Sequence, residues 1–203
     1  MRAQLLAGLR TVVVLTILCG LAFPLFVTLV ARVAFDDKAD GSLVRRDGVV
    51  VGSSLIGQTF TRPGYFHGRP SAAGAAAAGT KGSDPHDLTS AASGASNFGP
   101  TNPEFLATVD DRVQAYREEN GLDAATRVPV DAVTASGSGL DPQISVANAR
   151  LQAARVAEAR GLSVDAVRAL IDRHTEPRSL GFLGEKGVNV LELNLALDAL
   201  SVR

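Results

Sequence analysis

The 203-residue sequence is short of cysteine, histidine and lysine, and it lacks a basic excess. A single cysteine, Cys19, permits neither an internal disulfide framework nor a cysteine metal site. The three histidines, His67, His86 and His174, are far apart, and none has the helical i, i+4 spacing with another ligand type that a metal site wants. No metal is therefore expected. Lysine is scarce beside arginine, 3 against 17, a bias that reads as genomic rather than functional. Residues 1–34 carry three arginines and no acid, whereas the remainder carries 17 basic and 21 acidic residues, a net of 17 − 21 = −4. A nucleic-acid-binding domain needs a basic excess in its folded part, so that class is excluded. A wholly disordered chain is excluded as well, since 46% of residues are hydrophobic and only 20% charged.

What the front end does have is a long apolar run. Residues 11–31 (TVVVLTILCGLAFPLFVTLVA) hold no charge over 21 positions. As a helix this run spans about 31 Å, close to the hydrocarbon thickness of a bilayer. A cleaved signal peptide has a shorter apolar core, and residues 31–34 (ARVA) do not give the small-x-small pattern of a cut site. Bulky Leu18 before Cys19, and an apolar run continuing well past it, argue against a lipoprotein site. The expected organisation is a short basic tail at 1–10, an uncleaved transmembrane helix at 11–34 and one soluble domain at 35–203. Gly20 and Pro24 are tolerable inside such a helix, with a kink expected at Pro24 and close helix packing at Gly20. Arginines and lysines flank both ends, so their count does not orient the helix. A short N-tail and a large C-terminal domain favour a cytoplasmic N-terminus and a domain outside the cytoplasm.

The remainder reads as an α/β domain with mixed helices and strands. Asp47-Gly48 between two valine-containing runs predicts a hairpin, and residues 54–61 predict a further strand. Residues 71–96, rich in alanine, glycine and serine, read as a long surface loop. Asn102, Ser145, Ser163 and Asn189 are each placed to cap a helix, with Gly121 and Gly161 closing two of them. The valines at 128, 130 and 133 predict a strand.

Patterns that tempt a catalytic reading fall short. Residues 74–81 (GAAAAGTK) approach a phosphate-binding loop, but Thr80 separates the second glycine from Lys81. Residues 134–139 (TASGSG) lack the glycine spacing of a nucleophile elbow around Ser136 or Ser138, and read as a glycine-permitted bend. The catalytic set on residues alone is none. A membrane-tethered serine hydrolase using Ser136 or Ser138, or a tethered ligand-binding module lidded by residues 71–96, remain as alternatives from other classes.

Longer stretches go beyond generic patterning. They are 55–58 (LIGQ), 65–71 (YFHGRPS), 93–103 (SGASNFGPTNP), 128–142 (VPVDAVTASGSGLDP) and 183–198 (LGEKGVNVLELNLALD). In this order, behind one N-terminal apolar helix, they resemble the C subunit of Kdp-type potassium-transporting P-type ATPases. Departures are Gln143 where histidine is expected, Val146 where proline is common and Lys186 where proline often follows Gly-Glu. The resemblance implies a bacterial inner-membrane complex with three partners: a channel-like potassium-selecting subunit, a P-type ATP-hydrolysing subunit and a very small membrane subunit. It implies an accessory, non-catalytic role: assembling and stabilising a high-affinity potassium uptake complex, and acting as a catalytic chaperone that raises the ATP affinity of the hydrolysing subunit. It implies ATP contact only through a ternary complex. The polar residues of these stretches least explained by packing, Arg69 with Pro70, Asn97, Asn102, Ser136, Gly137, Ser138 and Asp141, are the expected partner or scaffold positions.

Overall fold

The computed structural model describes residues 1–73 and 93–201, so the phosphate-loop-like stretch 74–81, His86 and most of the predicted 71–96 loop lie outside the described residues. The chain divides into two compact units, Met1–Leu43 and Val44–Arg203.

The first unit is dominated by helix α1, Arg2–Ala34, whose 33 residues are long and apolar enough to cross a membrane once. The ten residues expected as a tail are helical from Arg2 onwards. Pro24 has no N–H to offer the carbonyl four residues back. The backbone absorbs this in a π-helical stretch, Thr16–Ala22, where the Phe23 N–H donates to the Leu18 carbonyl, five residues back. Gly20 lies inside that stretch, and a Cβ there would meet only Thr16 Cγ2, at 3.8 Å. A four-residue helix, α2 (Asp36–Ala39), follows with Asp36 and Asp37 in its first turn.

Strands β1 (Leu43–Arg46) and β2 (Val49–Ser53) form the predicted hairpin. Both turn residues take positive φ, Asp47 at 51° and Gly48 at 81°, as a two-residue turn of this kind demands. The strand expected at 54–61 does not form. Ile56 N–H closes a turn on the Ser53 carbonyl and Gly57 N–H donates to Leu140 O at 2.8 Å, which binds the segment to a loop instead of a strand.

Helix α3 (Pro103–Glu119) opens on Asn102, whose side chain accepts from the Phe105 N–H, and Gly121 follows at φ 60°. The valine-rich segment expected as a strand forms a short helix, α4 (Val130–Val133). Pro129 supplies a pre-set N-cap, Asp131 sits in the first turn, and Thr134 Oγ1 donates back to Val130 O at 2.7 Å. The fixed φ of Pro129 and the Thr134 bond back to Val130 override the strand preference of β-branched residues here.

A three-stranded antiparallel sheet has the order β3 (Gln143–Ser145), β5 (Gly187–Asn189), β4 (Thr175–Glu176). Ile144 pairs with Val188, and Thr175 pairs with Val188 from the other side. β3 runs directly into helix α5 (Val146–Arg160) and β5 into α7 (Val190–Ser201), while α6 (Val164–Arg173) lies between. Ser145, Ser163 and Asn189 accept from the amides of Asn148, Ala166 and Glu192, as their cap positions predict. Gly161 ends α5 at φ 63°. The core gathers Ile144 and Val188 from the sheet and Ala149, Ala153 and Val156 from α5. Val167, Leu170 and Ile171 of α6 join Leu193 and Leu197 of α7, and Phe66 from the loop closes it. The small residues on α5 let α6 pack closely against it. The result is a mixed helix-and-sheet fold behind one N-terminal apolar helix.

Candidate functional site

The stretch from Ser136 to Asp141 is a built loop, not an open one. Ser136 is buried and its Oγ accepts from Gly139 N–H at 2.9 Å, while Ser138 Oγ accepts from Leu140 N–H at 3.1 Å. Its carbonyls turn outward to neighbouring loops. Ser138 O accepts from Gly94 N–H (2.8 Å) and Ser93 Oγ (3.1 Å), and Gly139 O accepts from Ser71 Oγ at 2.6 Å. Gly139 holds φ 71°, and a Cβ there would come within 2.9 Å of Gly94 O, Ala73 Cβ and Ala73 N. Gly137 has nothing within 4 Å of such a Cβ. Asp141 finishes the loop: Oδ1 accepts from Gln143 N–H at 3.0 Å, and Oδ2 takes the Arg69 guanidinium at 2.7 Å. Both partners of that ion pair are only about a quarter to a third exposed (24% and 30%), so the contact is partly desolvated. Arg69 Nε is buried without a hydrogen-bond partner among the described residues.

The structure therefore brings Arg69, Ser136, Gly137, Ser138 and Asp141 to one place, with Pro70 beside Arg69 in the chain. It does not bring Asn97 or Asn102 there. Asn97 is exposed, with φ 54°, a conformation asparagine tolerates, and Asn102 spends its side chain on capping α3. The two serine hydroxyls serve the loop's own amides, and no histidine or carboxylate bonds to either among the described residues. The amides of Gly139 and Leu140 are likewise taken, by the Ser136 and Ser138 hydroxyls.

A second constellation carries no motif. Asn194, on α7, accepts from Phe66 N–H at 2.8 Å and donates to Phe66 O at 3.0 Å. Gln152, on α5, does the same for His67, accepting at 2.8 Å and donating at 3.0 Å. Two buried amides thus clasp consecutive residues as a neighbouring strand would. Gln152 also donates to Asn148 Oδ1, which takes Tyr116 Oη as well, both at 2.8 Å. Asn148 in turn donates to Asp131, whose carboxylate accepts from Ser145 N–H and Oγ. Burial, with the Asp131 charge, pushes the Tyr116 hydroxyl well above its usual range. Arg155 donates to Asn120, Gln152 and the Pro63 and Tyr65 carbonyls, and burial lowers its pKa. His67 places Nδ1 2.8 Å from Glu119 and Nε2 3.1 Å from Arg62 O. Burial, then the Arg155 charge, outweighs those two acceptors and lowers its pKa below 6.5. Sequence periodicity missed these amides because a polar residue on a helix reads as surface. The only signal was Asn194 standing between Leu193 and Leu197, both core positions.

Asp198, further along α7, binds Arg46 and Arg160 at 2.9 Å each and accepts from Tyr65 Oη at 3.3 Å. Arg160 also stacks over the Tyr65 ring at 4.4 Å. Arg46, Tyr65 and Asp198 edge a cleft of about 440 Å³ lined further by Gln58, Phe60 and Leu195. No group of three or more metal-ligating side chains occurs among the described residues.

Comparison with known proteins gives the arrangement a context. The family model described as "KdpC: K+-transporting ATPase, c chain" matches residues 5–199. The chain belongs to this family. A Mycobacterium tuberculosis protein named potassium-transporting ATPase KdpC subunit is 56% identical over 200 residues, covering 98% of this chain and all of the relative. One of the same name from Cereibacter sphaeroides is 52% identical over 199 residues, 98% of each chain. Membership over nearly the whole length makes this chain a KdpC-type subunit of a potassium-transporting P-type ATPase, an accessory chain rather than the hydrolysing one. As a KdpC-type chain it belongs to a complex with other subunits, and its N-terminal helix is long and apolar enough for a single pass through a membrane.

Proposed function

We propose that this KdpC-type chain is the architectural and regulatory subunit of a high-affinity potassium pump. It holds the complex together and raises the apparent ATP affinity of the hydrolysing subunit. Its N-terminus lies in the cytoplasm, α1 crosses the inner membrane, and the domain at 35–203 stands outside. Its partners are the channel-like potassium-selecting subunit, the ATP-hydrolysing subunit and a very small membrane subunit. The single observation that carries this reading is the family match over residues 5–199, which takes in both the apolar helix and the folded unit.

The geometry supports a docking role. The 136–141 loop, clasped by Arg69, is held by bonds from three separate loop segments, which makes it a stiff presenting surface. A domain outside the membrane cannot touch cytoplasmic ATP across about 30 Å of hydrocarbon. Its effect on ATP affinity is then a coupling free energy carried by membrane helices, on the order of 1–3 kcal/mol. Gly20 and the π-helical stretch before Pro24 offer α1 a place for close packing against a sister helix. Deleting the gene is expected to abolish growth at micromolar potassium and to leave growth at millimolar potassium intact. Unimpaired growth of the deletion strain at micromolar potassium would refute the reading.

A further inference from the structure

The cleft of about 440 Å³ beside α7 lies wholly within the second unit, between β2, the 58–65 segment and α7. Its walls are mostly apolar. Val51, Phe60, Leu191 and Leu195 line it, and the Tyr65 ring stands 5.5 Å from that of Phe60. A volume of this size, apolar walls and a few polar groups are what small-molecule sites share.

The polar groups at its edge divide into spent and unspent. Asp198 is the one carboxylate among the described lining residues, and the fold uses both of its oxygens. Oδ2 takes Arg46 Nη1 and Tyr65 Oη, and Oδ1 takes Arg160 Nη1. Gln58 Nε2 donates to Val51 O, and the Asn194 amide is committed to Phe66. The guanidiniums differ. Arg62 is exposed, and its side chain bonds to nothing among the described residues. Arg46 commits only Nη1, leaving Nε and Nη2. What the cleft has left to give is therefore N–H donors that carry positive charge. Flanking residues do not reverse the sign. With Arg45, Asp47, Arg160 and Glu192 counted beside the lining residues, four arginines still face three carboxylates.

We propose that the cleft binds a small amphiphilic monoanion, a carboxylate on an apolar, aromatic body. The carboxylate accepts from the unspent N–H groups of Arg46 and Arg62, a charge-assisted pairing that guanidinium geometry favours. The body packs against Phe60, Leu191 and Leu195. One negative charge fits, whereas a polyphosphate would bring further charge against Asp198. The inference uses the second unit alone and is independent of the role proposed for the chain in the pump.

Phenylbutyrate is the probe, with neutral phenylbutanol as its control. The full-length chain, methyl-labelled at leucine and valine in phosphatidylcholine nanodiscs, is titrated with each and followed by NMR. The expected result is saturable shifts of the Val51, Leu191 and Leu195 methyl signals while core Val167 stays fixed. Phenylbutyrate should bind about tenfold more tightly than phenylbutanol. Arg62→Gln, at an exposed side chain that the fold does not use, should remove most of that preference, and Arg46→Gln should do the same. Shifts that fail to saturate, or that spread through the core, overturn the proposal. So does equal affinity for the acid and the alcohol, or a preference that survives Arg62→Gln.

Discussion

At the scale of single residues, the decisive groups are side-chain amides that do the work of a missing strand. Asn194 is 1% exposed and satisfies both backbone groups of Phe66, itself fully buried. Asn194→Leu keeps the volume but strands an N–H and a carbonyl in the core. It is expected to cost about 2–5 kcal/mol, read as a lowered denaturation midpoint of the full chain in detergent. An unchanged midpoint would mean that water or a rearranged loop replaces the clasp. His67 gives a pH prediction. Its folded pKa lies below 6.5, so the unfolded chain takes up the proton first as pH falls. The associated stability is complete above pH 6.5 and is lost progressively below it. The melting temperature should fall between about pH 7 and pH 5, and His67→Gln should flatten that fall. Arg69 and Asp141 stood out in the sequence as polar residues without a packing role, and the structure joins them at 2.7 Å. Asn148 and Gln152 did not stand out, because nothing local distinguishes a buried helix amide from a solvated one, and Asn194 was marked only by the core leucines at 193 and 197.

At the scale of elements, the legible parts were those with local chemistry. Caps at Asn102, Ser145, Ser163 and Asn189 and the Asp47-Gly48 turn follow from short-range hydrogen bonding and allowed φ, and each formed where the sequence put it. The three-stranded sheet was illegible. Its strands are two or three residues long, too short for alternation to register, and β3 finds its partner 46 residues away, Gln143 opposite Asn189. The 128–134 segment misled in the opposite sense, since its valines suggest a strand while Pro129 and Asp131 start a helical turn. The loop that follows offers a paired test. Gly139→Ala places a methyl against Gly94 O and Ala73 at positive φ, and should destabilise the fold by about 2 kcal/mol or more. Gly137→Ala meets open space and should change stability by less than about 0.5 kcal/mol. If both substitutions are equally tolerated in thermal melts, the loop is not clamped as described.

At the scale of the whole molecule, sequence and structure agree on one long apolar N-terminal helix followed by a mixed helix-and-sheet unit, and the family match takes in both. The proposed role for the Arg69 clasp belongs at this scale. Arg69→Ala should lower recovery of the intact complex on a tagged sister subunit, and the charge-keeping Arg69→Lys should restore part of it. Normal recovery with Arg69→Ala would confine the clasp to local folding. Coupling to ATP use has a separate consequence. Without this chain, any residual pump should show a raised apparent KM for ATP by roughly 5- to 150-fold, the range that 1–3 kcal/mol of coupling spans.

The route of that coupling depends on which side of the membrane the folded unit occupies. Protease accessibility of a C-terminally tagged chain in intact spheroplasts, with a cytoplasmic protein as control, measures that directly. Digestion of the tagged unit while the control survives is the expected result, which would place the domain outside and make its influence on ATP a signal through membrane helices. Protection until lysis would contradict it, and would put the domain on the cytoplasmic side, beside the nucleotide.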